Sequence, residues 1–360
     1  MRTLVDSATP FLWHHVQQHL AGMGSASSYV KLHLFDSLFD VLPDHFSVAT
    51  SGLASPIVLP SLGLSVAGAQ LELRKIGVQR VQIKAQDGEW SGLIGQVPVT
   101  MRCDRARLPE LGSFALAARG CGIAGDVGLE DPLEGGAAAL AQDVSRAAAV
   151  IRATDPEMYE RLRLRTRWFV PLEVMGPSTH RSLTVRSMPS CMFLSRNTTV
   201  ERLSEAIVHE LSHAELNVMM DSKPLFSDAF RNERFYSPWR PDPRPLFGVL
   251  HAIYVFTQVA EFQKLLRERQ ASTPGENSDV GRRLADGLAR LRTARRQVPP
   301  HALTAAGRAL MDECSARATA VEQSVVALPP MWGPVSEHFD AWAKANPVEA
   351  RAATDPRLLA

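Results

Sequence analysis

The sequence predicts an α+β protein, with a strand-rich segment in its N-terminal half and a mainly helical C-terminal half whose central motif helix lies beside a small sheet. Three observations predict it. Ala206-Ile207-Val208-His209-Glu210-Leu211-Ser212-His213 reads H-E-x-x-H inside a helical apolar period, with Leu203, Ile207, Leu211, Ala214 and Val218 on one face. Residues 55–102 hold short period-two stretches, such as Leu71-Glu72-Leu73-Arg74 and Val81-Gln82-Ile83-Lys84, with Gly and Pro between them. After residue 246, three long stretches in succession carry helical spacing.

The chain has 360 residues, 45% of them apolar, enough for a sizeable core in one large domain or two ordinary ones. Its 39 basic and 38 acidic residues nearly cancel, so overall charge points to neither a nucleic-acid nor a membrane-surface protein. Cys103, Cys121, Cys191 and Cys314 form no C-x-x-C pair and read as reduced thiols, which fits a cytoplasmic protein. Asp6, His14, His15 and His19 interrupt the N-terminal apolar residues, so a secretory signal core is not expected. The longest apolar run, 246–260, is broken by His251 and Gln258 and is too short to span a bilayer comfortably.

Taken in order, residues 11–20 and 29–42 read as helices separated by the break Gly24-Ser25-Ala26-Ser27-Ser28. His14 and His15 diverge by about 100° on a helix, so packing or a surface role suits them better than a shared metal. Residues 103–135 are rich in Gly and Ala and read as irregular connection. Gly120, Gly122, Gly125 and Gly128 do not make a phosphate loop. A boundary near 135 divides an N-terminal region of unassigned role, 1–135, from a catalytic region, 136–360, although strands before it can still pair with strands after it. Helices are expected at 137–153 and 157–165, and strands at 168–174, 182–187 and 191–194. The last strand is a candidate sheet edge where an extended peptide could pair. A proline-punctuated loop fills 224–245, and helices follow at 247–267, 279–297 and 303–326, with a shorter one after Pro334. Arg282, Arg283, Arg290, Arg292, Arg295 and Arg296 alternate with Leu and Ala and read as a solvated helix face, with an acidic-partner surface as the alternative. Trp168, Phe169 and Trp239 read as core or loop anchors.

On a helix His209 and His213 sit one turn apart and can hold one metal ion, with Glu210 beside it. The motif alone also fits a polar surface pair. The helix is zincin-like, but the extended pattern with a further Gly and His is absent, because Leu216 and Met219 occupy those positions. A third ligand must then come from later in the chain. His251, in an otherwise apolar helix that would be buried, needs a partner or a metal and is the first choice. Glu261 would complete a two-His-plus-Glu set and competes with it, since the two lie on different helix faces.

The segments His209-Glu210-Leu211-Ser212-His213, Tyr236-Ser237-Pro238-Trp239-Arg240-Pro241-Asp242-Pro243-Arg244-Pro245-Leu246 and Gly248-Val249-Leu250-His251-Ala252-Ile253-Tyr254 together resemble the HExxH motif domain found beside ribosomally made peptide natural products (RiPPs). The resemblance covers about residues 165–270 and is most specific from Pro238 to His251. It implies a peptide-maturation enzyme whose partner is a ribosomal precursor peptide. It also implies that some members are iron(II) and 2-oxoglutarate-dependent hydroxylases of side-chain β-carbons.

Two chemistries therefore compete. A zinc peptidase needs an open position for water, Glu210 as general base and an oxyanion donor, for which Tyr236, Tyr254 and His180 are candidates. An oxygenase needs iron(II) on three facial ligands, here His209, His213 and His251, and a cation for the distal carboxylate of 2-oxoglutarate. Arg240 and Arg244 are the candidates for that cation, with ion pairing to Asp228, Glu233 or Asp242 as their ordinary alternative. Glu210 would then orient a ligand or a bound water. The leading expectation is the hydroxylase, followed by the zinc peptidase, followed by a non-catalytic precursor-binding protein with a structural metal. Oligomeric state stays open.

Overall fold

The period-two stretches form strands whose alternate side chains are buried. The computed structural model describes residues 31–32, 42, 44–51, 57–59, 62, 64–66, 70–85, 88–93, 104–117, 136–172, 180–186, 188, 190–271, 279–325, 332–351 and 353–359. The chain divides into two compact units, Met1–Ala149 with Glu160–Leu203, and Val150–Tyr159 with Ser204–Ala360.

The first unit holds the sheets. β1 (Ser47–Ser51) precedes a short antiparallel pair, β2 (Ile57–Leu59) and β3 (Leu64–Val66), and then β4 (Gln70–Gly77), β5 (Arg80–Ala85) and β6 (Gly88–Leu93). The order β1-β4-β5-β6 makes a four-stranded antiparallel sheet. Leu71, Leu73, Val81 and Ile83 fall on one face and join Leu32, Leu59 and Leu62 in a core, as their spacing requires. Lys75 continues that buried row, and its Nζ donates to the Leu42 carbonyl at 2.7 Å. The β4–β5 turn closes through Gln79, at φ 52°, and Gly77, at φ 154°, a backbone that glycine adopts without a Cβ penalty.

A mixed five-stranded sheet follows in the order β10-β11-β9-β8-β7. It comprises β7 (Asp104–Leu108), β8 (Ser113–Ala117), β9 (Trp168–Pro171), β10 (Ser182–Leu183) and β11 (Cys191–Leu194). β9 runs parallel to both β8 and β11, so the chain needs a long crossover between β8 and β9. That crossover contains the helices α1 (Gly136–Thr154) and α2 (Pro156–Arg165), close to their expected bounds. Every residue of β9 and β11 is buried, the signature of strands covered on both faces. Trp168 and Phe169 are core residues, as expected.

Two expectations are corrected here, and the reservation on a third, that strands before 135 can pair with strands after it, is met. Residues 104–117 are not irregular: they form the β7–β8 hairpin, turned through Gly112 at φ 64°. The division at 135 falls between β8 and β9, two strands hydrogen-bonded in one sheet, so it does not separate the sheets. And β11 is no free edge, because β10 and β9 occupy its two sides. Long-range pairing decides all three, and no local pattern carries it. The expected helices at 11–20 and 29–42, His14, His15, His19, Cys103, Cys121 and the glycines from 120 to 128 lie outside the described residues, apart from the helical pair 31–32.

The second unit is helical. α3 (Val200–Ser222) leads into α4 (Leu246–Ala271), α5 (Asp279–Arg296), α6 (Ala305–Ser324) and α7 (Trp332–Ala345). Between α3 and α4 the proline-rich loop contains a two-stranded hairpin, β12 (Arg234–Phe235) with β13 (Arg244–Pro245). α4 buries Leu246, Val249, Leu250, Ile253, Val255, Val259, Phe262 and Leu266, so apolar residues surround it on nearly all sides. Such a helix is stable only when encased, and α5 and α6 both pack on it. Ala260 joins Leu284, Leu288, Leu291, Ala318 and Val321 in the core they share. Among the described residues no helix is long and apolar enough to cross a membrane.

The end of α3 is clipped onto the start of α6. Thr304 caps α6 by accepting from Gly307 N at 3.0 Å, while its own hydroxyl donates to Pro224 O at 2.7 Å and its N–H to Leu225 O at 3.1 Å. A Cβ on Gly307 would lie 1.8 Å from the Leu225 carbonyl oxygen, a backbone atom that cannot step aside. An alanine in a helix ordinarily stabilises relative to glycine by up to about 1 kcal/mol. Here the clash reverses the sign: Gly307→Ala should lose about 1–3 kcal/mol, in the range of overpacked sites. Chemical denaturation of the two proteins measures it, and a Gly307→Ala protein at least as stable as the parent would show that α6 does not dock this closely.

Candidate metal centre

α3 is built to carry its motif. Thr199 accepts from Arg202 N at 3.3 Å at its start, and Leu203, Ile207 and Leu211 are buried as their spacing predicts. The expected face then departs from the sequence reading, because Leu216 is buried while Val218 is 56% exposed and Ala214 only partly buried. Burial also extends to Ser204, Glu205, Glu210, Ser212, Glu215 and Asn217, so α3 is enclosed on more than one side. Ser212 meets this burial by donating to Val208 O at 2.7 Å. Glu205, one turn before His209, takes Arg283 Nε at 3.0 Å and Gln263 Nε2 at 3.0 Å, tying α3 to α5 and α4. The sequence reading missed Glu205, although its i−4 spacing from His209 marks it.

The three expected histidines come together. His209 Nε2 lies 3.1 Å from His213 Nε2, and His213 Nδ1 lies 2.9 Å from His251 Nδ1. The His213 and His251 rings stack at 5.2 Å between centroids. His251 is buried in the first turns of α4, as an apolar helix around it implied. A turn of α3 and a helix 38 positions later thus meet at one imidazole.

The protonation of this cluster follows from its burial. Desolvation is the largest cause for both motif histidines, holding His209 down to about 3, with His213 as a second cause, and His213 down to about 4. Both rings are therefore neutral at pH 7, the form that binds a metal ion. A neutral ring has one N–H, so the three form a chain of bonds running in one direction. If His213 donates from Nδ1 to His251, its Nε2 lone pair faces His209. A 3.1 Å span suits an N–H···N bond, and it equally suits two imidazole nitrogens sharing one ion at about 2.1 Å from each. His209 and His213 are thus the residues that would hold a metal ion if one binds here.

His213 presents opposite ring nitrogens to its two neighbours, so in these rotamers His251 meets His213 from behind that pair. Among the described residues, no group of three His, Cys, Asp or Glu side chains is set around a single point. Glu210 is 3% exposed beside the pair on α3. Glu261, the competing ligand, lies in an ion pair with Arg317, whose Nε is 2.8 Å from Glu261 Oε1, and its carboxylate is thereby committed.

The loop before α4 packs onto the same cluster. Trp239 stacks on Phe256 at 4.3 Å and 3°, and Phe256 meets the His209 ring edge-on at 5.1 Å. Trp239 is a loop anchor, as expected, and Phe256 is a contact the sequence reading missed inside a uniformly apolar run. Arg290 donates to Pro238 O, fixing the loop on α5. Tyr236 is fully buried with its hydroxyl 2.9 Å from His338 Nδ1, and burial pushes its pKa up. That engagement removes Tyr236 as an oxyanion donor, and no local signal links it to a histidine 102 positions away. His180, in the sheet unit, has its Nδ1 3.1 Å from Ser195 Oγ. Tyr254 is buried on α4.

The two arginines converge on one carboxylate. Arg244 Nη1 donates to Asp242 Oδ2 at 3.0 Å, and Arg240 Nε lies 3.9 Å from Asp242 Oδ1. The hydrogen bond from Arg244 is the main reason Asp242 titrates below its ordinary range. The Arg244 side chain lies against the first turn of α4, where a Cβ on Gly248 would stand in ordinary contact with its Nε at 3.4 Å. Arg240 remains 58% exposed.

Two outcomes are expected. Since His209 and His213 titrate below 6.5 when folded, their contribution to stability is complete above about 6.5 and is lost as pH falls toward 4 and 3. The melting temperature of the metal-free chain should drop between pH 7 and pH 5, and a His209→Gln/His213→Gln protein should show a smaller drop; equal drops would place the acid sensitivity elsewhere. Equilibrium dialysis with a divalent first-row metal should show one bound ion, lost in His209→Ala and in His213→Ala and weakened at least tenfold in His251→Ala, the cost typical of removing a group that holds a ligand. Unchanged affinity in His251→Ala would take His251 out of the centre. No family model matches this chain, and no curated protein matches it.

Proposed function

We propose that the chain is a metal-dependent enzyme acting on a peptide, with iron(II)/2-oxoglutarate-dependent hydroxylation of a side-chain β-carbon as its reaction. The observation that carries the metal-dependent part is the row of three histidines in which His213 lies 3.1 Å from His209 and 2.9 Å from His251, the motif pair held neutral by burial. The resemblance of residues 209–213 and 236–254 to the peptide-maturation domain supports the choice of reaction and of a ribosomal precursor peptide as substrate. His209 and His213 would hold the ion, and His251 completes the set or fixes the His213 ring through its Nδ1. Bound iron(II) would supply dioxygen activation, with 2-oxoglutarate and dioxygen consumed and succinate, carbon dioxide and the hydroxylated peptide released.

The chain's own residues do the rest. Phe256 and Trp239 wall one side of His209 and keep water from that face. Arg244 and Arg240 are the cations nearest in sequence to His251, and a 2-oxoglutarate carboxylate would compete with Asp242 for them. Glu210 favours a second reading. A buried carboxylate next in sequence to the first motif histidine is the type of group a zinc peptidase uses as general base.

Anaerobic loading with iron(II), followed by 2-oxoglutarate, a precursor peptide encoded beside the gene, and air, should yield succinate and a peptide heavier by one oxygen. Peptide fragments formed with zinc alone would overturn hydroxylation in favour of hydrolysis. Arg244→Ala should raise the 2-oxoglutarate concentration needed for half-maximal succinate release at least tenfold, and Arg240→Ala should do so less, given its exposure. If neither moves it, the carboxylate is held elsewhere.

A further inference from the structure

The charge on the last turn of α5 is not only a solvated face. Arg292, Arg295 and Arg296 line a cavity of about 440 Å³ together with Arg308 from α6. That volume is in the range of small-molecule sites. We propose that this cleft binds a phosphorylated small molecule with an apolar body.

The charge balance comes first. Arg292 and Arg295 share one carboxylate, Glu322, at 3.2 and 3.7 Å, and Asp312 is the one acid in the lining. Four guanidiniums facing two carboxylates leave a surplus of two positive charges, which matches a phosphate monoester at neutral pH. The C-terminal end of α5 offsets a part of the positive charge through its carbonyls, but only within its last turn. Arg308 stands outside that turn, at the start of α6. Two of the donors are held by the backbone. Arg308 uses Nη1 on Leu303 O at 2.7 Å, and Arg295 uses Nη1 on Ser315 O at 3.0 Å, so two guanidiniums are oriented by backbone carbonyls. Arg308, held through Nη1, keeps Nε and Nη2 for bidentate contact with phosphate oxygens, whereas Arg295 also turns its Nη2 to Glu322. Burial, with the nearby Arg292 and Arg296 adding to it against the pull of Glu322, holds Arg295 below its ordinary range.

The rest of the lining selects the body of the ligand. Val298, Leu303 and Met311, themselves largely buried, form the apolar floor of the cleft beside the guanidiniums. A ligand with a phosphate at one end and a ring or short chain at the other satisfies both parts. The cleft lies on α5 and α6, away from the α3–α4 histidines in sequence and in the elements that build it, so it does not depend on the metal reading.

Isothermal titration of the full chain at about 0.15 M ionic strength, with phenyl phosphate, inorganic phosphate, benzoate and a glutamate-rich peptide as probes, tests this. Arg296 and Arg308 are exposed, so Arg296→Ala/Arg308→Ala should keep the fold, which its melting curve checks. The expected result is one phenyl phosphate site, at least tenfold tighter than inorganic phosphate or benzoate, weakened at least tenfold in the double variant while metal binding is unchanged. No heat of binding, or equal affinity in the double variant, overturns the proposal. Tighter binding of the acidic peptide would assign the cleft to a macromolecular partner and overturn it too.

Discussion

The helical unit depends on the burial of α4. A helix apolar on nearly all sides gains its stability from being encased, and α5, α6 and the α3 side provide the casing. Within that casing a histidine needs a hydrogen-bond partner, so His251 must meet another polar group. The group it meets is His213. The contact between α3 and α4 is thus polar where His213 meets His251 and where Gln263 donates to Glu205. Desolvation does two things at once: it drives the helices together, and it keeps the motif imidazoles neutral and open to a metal ion.

Around this contact the structure spends its polar side chains on holding elements in register. Glu205 with Arg283 and Gln263 ties α3 to its neighbours one turn from His209. Glu261 with Arg317 joins α4 to α6, and Arg290 with Pro238 joins α5 to the loop. Paired charges of this kind cost little when both partners are present and a great deal when one is removed, so they specify which helices pack together more than they add stability. The proline-rich loop is the most heavily tied segment: Tyr236 enters the core with Phe339 and Trp342, and Trp239 covers Phe256. It brings Arg240 and Arg244 to the entrance of α4 with both facing Asp242.

The two charged features of the helical unit differ in kind. At the histidines, burial suppresses charge on the rings. At the α5–α6 cleft, positive charge is gathered beyond what its carboxylates neutralise, which suits an anion. One helix, α5, serves both, through Arg283 toward α3 and through Arg292, Arg295 and Arg296 toward α6.

Sequence by itself determined the helices of the C-terminal half, because their apolar spacing is long and regular, and the bounds at 137–153, 279–297 and 303–326 fall within about three residues of the structure. It determined the strands of 70–85 by their alternation, and it singled out His209, His213 and His251, two by spacing and one by standing alone in an apolar helix. It did not determine which strands pair: β7 and β8 carry too little alternation to be read alone and take their place from β9. Nor did it determine who holds whom among distant groups, such as Tyr236 with His338, Glu261 with Arg317, and Arg308 beside the end of α5. Periodicity records only the direction in which a residue is buried. Which partner waits there is decided by helix packing across tens of residues, and so are the ring nitrogens that His213 turns to His209 and His251.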